Sequence, residues 1–146
     1  MRIIVIALGI VIIILFGVLL FVQPTKNSNA PTQVHQIASS TDGSIIVLAP
    51  EMDAVIASPI AISGSAKGWY FEATFPIKIM DGDGMILGSG QARAQGDWMT
   101  TSSVPFLASI SFTNPKYSTG TILFQKDNPS GLPQNDKELI VPIRFR

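Results

Sequence analysis

The 146-residue chain has no cysteine, one histidine and little charge: ten basic and ten acidic side chains, 14% of the residues, cancel to a formal net charge of zero. Without cysteine there is no disulfide framework, no thiolate nucleophile and no cysteine-ligated zinc or iron–sulfur centre. The single histidine, His35, excludes a multi-histidine metal site. The balanced charge leaves no basic surplus to neutralise phosphates along a nucleic acid and no acidic surplus to gather cations. Nucleic acid is therefore not an expected partner, and no cofactor is implied. Apolar residues are what the chain has in excess, 47% of the total, which is too many for a disordered polypeptide. The excess is concentrated near the amino terminus.

Residues 3–22 form a run of 20 positions without a charged, amide or hydroxyl side chain. A helix rising about 1.5 Å per residue would carry that run across about 30 Å, the thickness of a bilayer's hydrocarbon core. A helix satisfies its own backbone polar groups in lipid, so Gly9 and Gly17 are tolerated there. Arg2 and the amino group precede the run and Lys26 follows it, which orients the amino terminus toward the cytoplasm and the rest outside. The apolar stretch is longer than that of a cleaved signal peptide, and Pro31 follows the small residues that could serve as a cleavage site. Residues 1–22 read as a retained single-pass anchor whose partner is the lipid bilayer, with cleavage as the alternative.

Residues 23–44 are rich in Pro, Thr, Asn, Ser, Gln and Ala and offer too little apolar surface to offset the entropy of ordering. They read as a flexible linker, with His35 in it as a solvated side chain. Residues 45–146 remain for one folded domain, and their pattern is alternation. Phe106, Ala108, Ile110 and Phe112 share one face of a strand while Leu107, Ser109 and Ser111 take the other. Leu139, Val141, Ile143 and Phe145 repeat the pattern at the end of the chain. Pro142 cannot donate to a ladder, so that strand is expected at an edge or with its proline toward a loop. Further strands are expected over 44–48, 60–66, 72–80, 85–94 and 120–126, separated by Gly, Pro, Asn and Asp clusters. About seven short strands in this length predict an all-β, antiparallel β-sandwich, held by hydrophobic burial alone.

The domain also carries a distinctive order of residues: Gly64 and Ala66; Gly68-Trp69-Tyr70-Phe71-Glu72-Ala73; Asp81 with Gly84; Ala94 and Gly96-Asp97-Trp98-Met99; and Phe106 followed by Ile110 and Phe112. A loop from Lys126 to Gly131 precedes the last strand. This order resembles the immunoglobulin-like domain of bacterial spore-germination proteins, over nearly all of 45–145. The resemblance implies a bacterial envelope protein with an adhesive or scaffolding domain, associated with germination and without established catalytic residues.

Three groups of residues invite sharper readings. Asp81-Gly82-Asp83-Gly84 places alternate carboxylates before glycine, as a calcium loop begins. The next alternate position is Met85, however, and the twelfth is Ala92. The same four residues suit a hairpin turn, because glycine accepts positive φ. Asp81 and Asp83 are thus weak metal candidates, dependent on distant carboxylates such as Asp53 or Asp127. Trp69, Tyr70, Phe71 and Trp98 serve either as an aromatic platform for glycan rings or as core; strand parity pairs Trp69 with Phe71 and Tyr70 with Glu72, so that one pair is expected inside. Glu72 and Asp97 have no nucleophile set beside them by any local motif, which favours roles as turn acceptors or surface charges over acid–base catalysis. In the loop 126–137, Asp127 and Asn128 can bond to nearby backbone while Pro129 and Gly131 fix the turn. An ordered loop of this kind is a second candidate contact surface.

Trp69, Tyr70, Trp98, Asp127 and Asn128 are therefore the candidate binding surface, with no catalytic residues. The chain is expected to be a non-enzymatic binding or scaffolding protein, anchored in the cell membrane with its domain outside. Its partner would be an envelope protein or a cell-wall polymer. The alternative is a glycan-binding or hydrolytic domain acting on the wall.

Overall fold

A computed structural model describes residues 36–146. The expected membrane helix over 3–22, most of the expected linker and His35 lie outside the described residues. Among the described residues, no helix is long and apolar enough to cross a membrane.

Nine strands account for the fold: β1 (Ala38–Ser39), β2 (Ile45–Ala49), β3 (Ala54–Ile56), β4 (Ile60–Ala66), β5 (Thr74–Asp81), β6 (Ile86–Ala94), β7 (Val104–Ile110), β8 (Thr119–Gln125) and β9 (Glu138–Phe145). They hydrogen-bond in the order β1-β2-β4-β7-β6-β5-β8-β9-β3. The ribbon folds over into two layers, β1-β2-β4-β7 and β6-β5-β8-β9-β3. The layers join where the end of β6 pairs with β7, Arg93 opposite Leu107 and Ala94 opposite Phe106. Rings from non-neighbouring strands meet between the layers: Phe106 of β7 lies 5.1 Å from Phe75 of β5 and 6.3 Å from Phe124 of β8.

Alternation explains which side chains meet there. Ile45 and Val47, Ile60 and Ile62, Phe75, Ile77 and Ile79, Ile122 and Phe124, and Val141, Ile143 and Phe145 are all buried. Each such side chain contributes roughly 1.5–3 kcal/mol by leaving water. Two glycines make room for rings. Gly64 stands opposite Phe106 in the ladder, and a Cβ on it would lie 2.6 Å from that ring. Gly120 does the same for Phe145, whose ring would stand 2.5 Å from an added Cβ.

The strand count is nine, not about seven. The additional two, β1 and β3, have two and three residues, so neither completes an alternation that the sequence could display. β1 falls inside 23–44, the stretch read as linker, where Ala38 is buried and pairs with Val47. β3 runs parallel to β9, with Ala54 opposite Ile143. Pro142 accepts from Asp53 N–H at 2.8 Å. Its carbonyl therefore faces β3, and so does its ring nitrogen, which leaves the β8 ladder intact.

Candidate functional site at one end of the sandwich

The strand pairing assigns every connection to one of two ends. The turn 40–44 and the loops 67–73, 95–103 and 126–137 share one end. The segments 50–53, 57–59, 82–85 and 111–118 share the other. Three of the pieces that carry the resemblance, 68–73, 96–99 and 126–131, fall at the first end although they are spread over more than 60 positions, while Asp81 with Gly84 falls at the second.

Trp69 holds these loops together. Its side chain is 1% exposed and packs edge-on to Phe75 at 5.7 Å. The indole Nε1 donates to Ser44 Oγ at 2.9 Å, and the Trp69 carbonyl accepts from Asp127 N–H at 3.0 Å. One residue thereby ties the turn 40–44 and the loop 126–137 to the core. Tyr70 is 8% exposed, and its hydroxyl donates to the Val104 carbonyl at 2.7 Å. Burial pushes its phenol up to about 12, partly offset by a bond from the Ala66 backbone.

Trp69 and Tyr70 are thus core residues, which removes their ring faces from any ligand platform. Strand parity also fails for 69–72, because the chain turns there instead of extending. Phe71 and Thr74 exchange backbone hydrogen bonds at 3.0 Å around Glu72 and Ala73, with φ of 49° and 63°. This is a two-residue hairpin turn of the primed type, built without the glycine or asparagine that such φ values favour. It lifts Phe71 to 41% exposure.

Trp98 is half-buried and packs on the core, while the adjacent Met99 is 77% exposed. Asp97 Oδ1 accepts from Met99 N–H at 3.0 Å, the turn-acceptor role its position suggested. Asn128 closes its loop: Nδ2 donates to the Leu132 carbonyl at 2.9 Å and to Asp136 Oδ1 at 2.7 Å. Gly131 N–H returns to the Asn128 carbonyl at 3.1 Å, with φ of 64° at Gly131. Asp127 enters through its backbone amide, as above. Sequence reasoning missed the lysines of this end. Lys137 Nζ lies 2.6 Å from Asp42 Oδ2, and Lys67 and Lys126 line the same recess. The Lys137 ammonium, with the Ser40 and Ser44 hydroxyls and the Ser44 backbone, holds the Asp42 carboxyl well below the usual carboxylate range.

Asp81 and Asp83 lie at the opposite end. Gly84 N–H bonds to the Asp81 carbonyl at 2.9 Å, Asp81 N–H to the Met85 carbonyl at 2.8 Å, and Gly84 takes φ of 84°. This is a three-residue hairpin loop with a left-handed closing glycine. The Asp81 side chain is 4% exposed and already engaged. It accepts from Gly82 N–H at 2.9 Å, Lys116 N–H at 2.8 Å and Tyr117 N–H at 3.2 Å. Burial alone would push its pKa up, but these three donors and the Lys116 charge outweigh burial and hold it below the ordinary carboxylate value. Asp83 Oδ1 accepts from Met85 N–H. Both carboxylates are turn fasteners. Of the distant carboxylates, Asp127 is at the other end of the sandwich, and Asp53 bonds Arg144 and Pro142 through its main chain. Among the described residues no three His, Asp or Glu side chains stand together to hold a metal.

Two facing layers, antiparallel except where β3 pairs with β9, with loops fastened at one end by a buried tryptophan, define an immunoglobulin-like domain. The chain belongs to the family of immunoglobulin-like domains of bacterial spore germination, whose model matches residues 44–131, from just before β2 through β8 into the loop before β9. No curated protein and no solved structure gives a significant match.

Proposed function

We propose that this chain is a membrane-anchored binding or scaffolding protein of the bacterial envelope, with its immunoglobulin-like domain outside the membrane and its motif-bearing end as the contact surface. The observation that carries this reading is the gathering of 68–73, 96–99 and 126–131 at one end. Phe71 and Met99 are exposed there, and loops held on a rigid scaffold are where binding residues concentrate. The run at 3–22 supports the anchor, and membership of a spore-germination family supports a germination-associated role.

The absence of cysteine makes single-cysteine variants unambiguous reporters. Phe71→Cys and Met99→Cys report the proposed surface, and Met85→Cys reports the opposite end. On intact cells with the wall retained, a membrane-impermeant maleimide is expected to label Met85→Cys readily. It should label the other two slowly, while all three react quickly in the purified chain. Labelling that requires lysis would reverse the topology, and equal labelling of all three on cells would contradict the contact surface.

A further inference from the structure

The motif-bearing end contains a recess into which Lys67, Lys126 and Lys137 open, from two segments far apart in sequence, the loop 67–73 and the two ends of the loop 126–137. Between them lie Gly43, Ser44 and Gly68, and the one carboxylate in the lining is Asp42. Asp42 is committed: Oδ2 takes Lys137 Nζ, while Oδ1 takes Ser40 Oγ at 2.7 Å and Ser44 N–H at 3.0 Å. Lys126 Nζ spends one hydrogen on the Asn135 carbonyl at 3.1 Å. Lys67 Nζ has no hydrogen-bond or ion-pair partner among the described residues. Three ammonium groups against one carboxylate leave a formal surplus of two positive charges in the lining (3 − 1). The neighbouring Asp136 and Glu138 carboxylates keep their charge but accept from Asn128 Nδ2 and Gln125 Nε2 rather than from the recess lysines.

The backbone between the lysines is bare. Gly43 and Gly68 have φ of 65° and 67°, and a Cβ on either would meet nothing within 4 Å. An anion can therefore approach the main chain closely while ammonium groups reach it from several sides. That suits a tetrahedral oxyanion, for which lysine acts as a point charge.

We propose that this recess binds the phosphate of an anionic diester, presented by an envelope polymer or by a lipid headgroup. The proposal rests on the reading of this end as the contact surface and names what that surface recognises. Asp42 acts as an internal competitor: it occupies Lys137 until a phosphate displaces it.

The test uses the full chain in a neutral detergent with two probes, a glycerol-phosphate oligomer and vesicles containing phosphatidylglycerol, against vesicles of phosphatidylcholine alone. Binding to at least one phosphate probe is expected. Lys67→Ala should weaken it by roughly tenfold, the scale of one lost charge at close range. Asp42→Asn should strengthen it by freeing Lys137. Each tenfold rise in salt should cost roughly tenfold in affinity. The oligomer alone would identify a polymer as the source, and the anionic vesicles alone a headgroup. No binding to either, or binding that neither substitution changes, would overturn the proposal. If phosphate binding fails while Phe71→Cys and Met99→Cys remain shielded on cells, the recess assignment falls and the contact surface stands. Loss of the shielding as well would take both.

Discussion

The buried fasteners of the motif-bearing end are neutral groups, whereas the buried fastener of the opposite end is a charge. At the first, the Trp69 indole and carbonyl and the Tyr70 hydroxyl tie three connections to the core. At the second, the Asp81 carboxylate gathers three amide hydrogens and joins the hairpin after β5 to the loop after β7. The difference teaches that the two ends respond to different conditions. A carboxylate lets go when it takes a proton, whereas an indole does not titrate and a buried phenol releases its proton only in strong alkali. Acid should loosen the hairpin end while the buried Trp69 and Tyr70 fastenings of the motif-bearing end persist.

The largest expected effect comes from removing the fastener of the motif-bearing end. Trp69→Ala should cost about 3–5 kcal/mol in urea unfolding, as for other large-to-small core changes. It should also free the Asp127 amide to exchange faster than the β8 core. A loss below about 1 kcal/mol would mean that Trp69 is replaceable and that the two ends are not distinguished in this way.

Tyr70→Phe removes one hydroxyl and leaves the Val104 carbonyl without its donor, which should cost about 1–3 kcal/mol. Its pH signature is separate. The folded phenol titrates near 12 and an unfolded one near ~10. This stability is therefore complete below about pH 10 and lost as pH rises toward 12. Alkaline melting curves of wild type should show that loss, and those of Tyr70→Phe should show less of it.

Asp81→Asn sharpens the comparison from the other end. The asparagine keeps the shape and one acceptor, so a smaller fall in melting temperature is expected at neutral pH. The folded carboxyl lies below its ordinary value, so its contribution is present above about pH 4 and lost as pH falls through the folded value. The Lys116 and Tyr117 amide resonances of wild type should shift below about pH 4 while that of Asp127 stays in place. In Asp81→Asn that acid shift should vanish. Smallest of all is Asp42→Asn: its ion pair with Lys137 is exposed, and such pairs contribute little in water. The melting temperature is expected to stay unchanged within error.

Legibility from sequence followed length and locality. β4 spans 60–66 as the alternation predicts, and the faces of β7 and β9 are those the pattern assigns. The hairpin at Asp81 was legible because glycine marks it within four residues. β1 and β3 were not, since two or three residues show no period. The burial of both Trp69 and Tyr70 was hidden because parity applies only to an extended strand, and the turn at Glu72 and Ala73 carries no glycine to announce it. The amides of Lys116 and Tyr117 lie 35 and 36 positions from Asp81, and Lys137 lies 95 from Asp42. Partnerships of that range arise from topology and leave no local trace. The lysine recess escaped notice for the same reason: its three cations meet only after the strands have paired.

If Trp69 fastens the loops before any partner arrives, hydrogen exchange on the isolated full chain will show it residue by residue. The amides of Asp127 and Lys126, bonded to the Trp69 and Lys137 carbonyls, should be protected to nearly the degree of Ile122 in the core of β8. Exchange of both at free-loop rates, with Ile122 still protected, would contradict a preformed surface at this end.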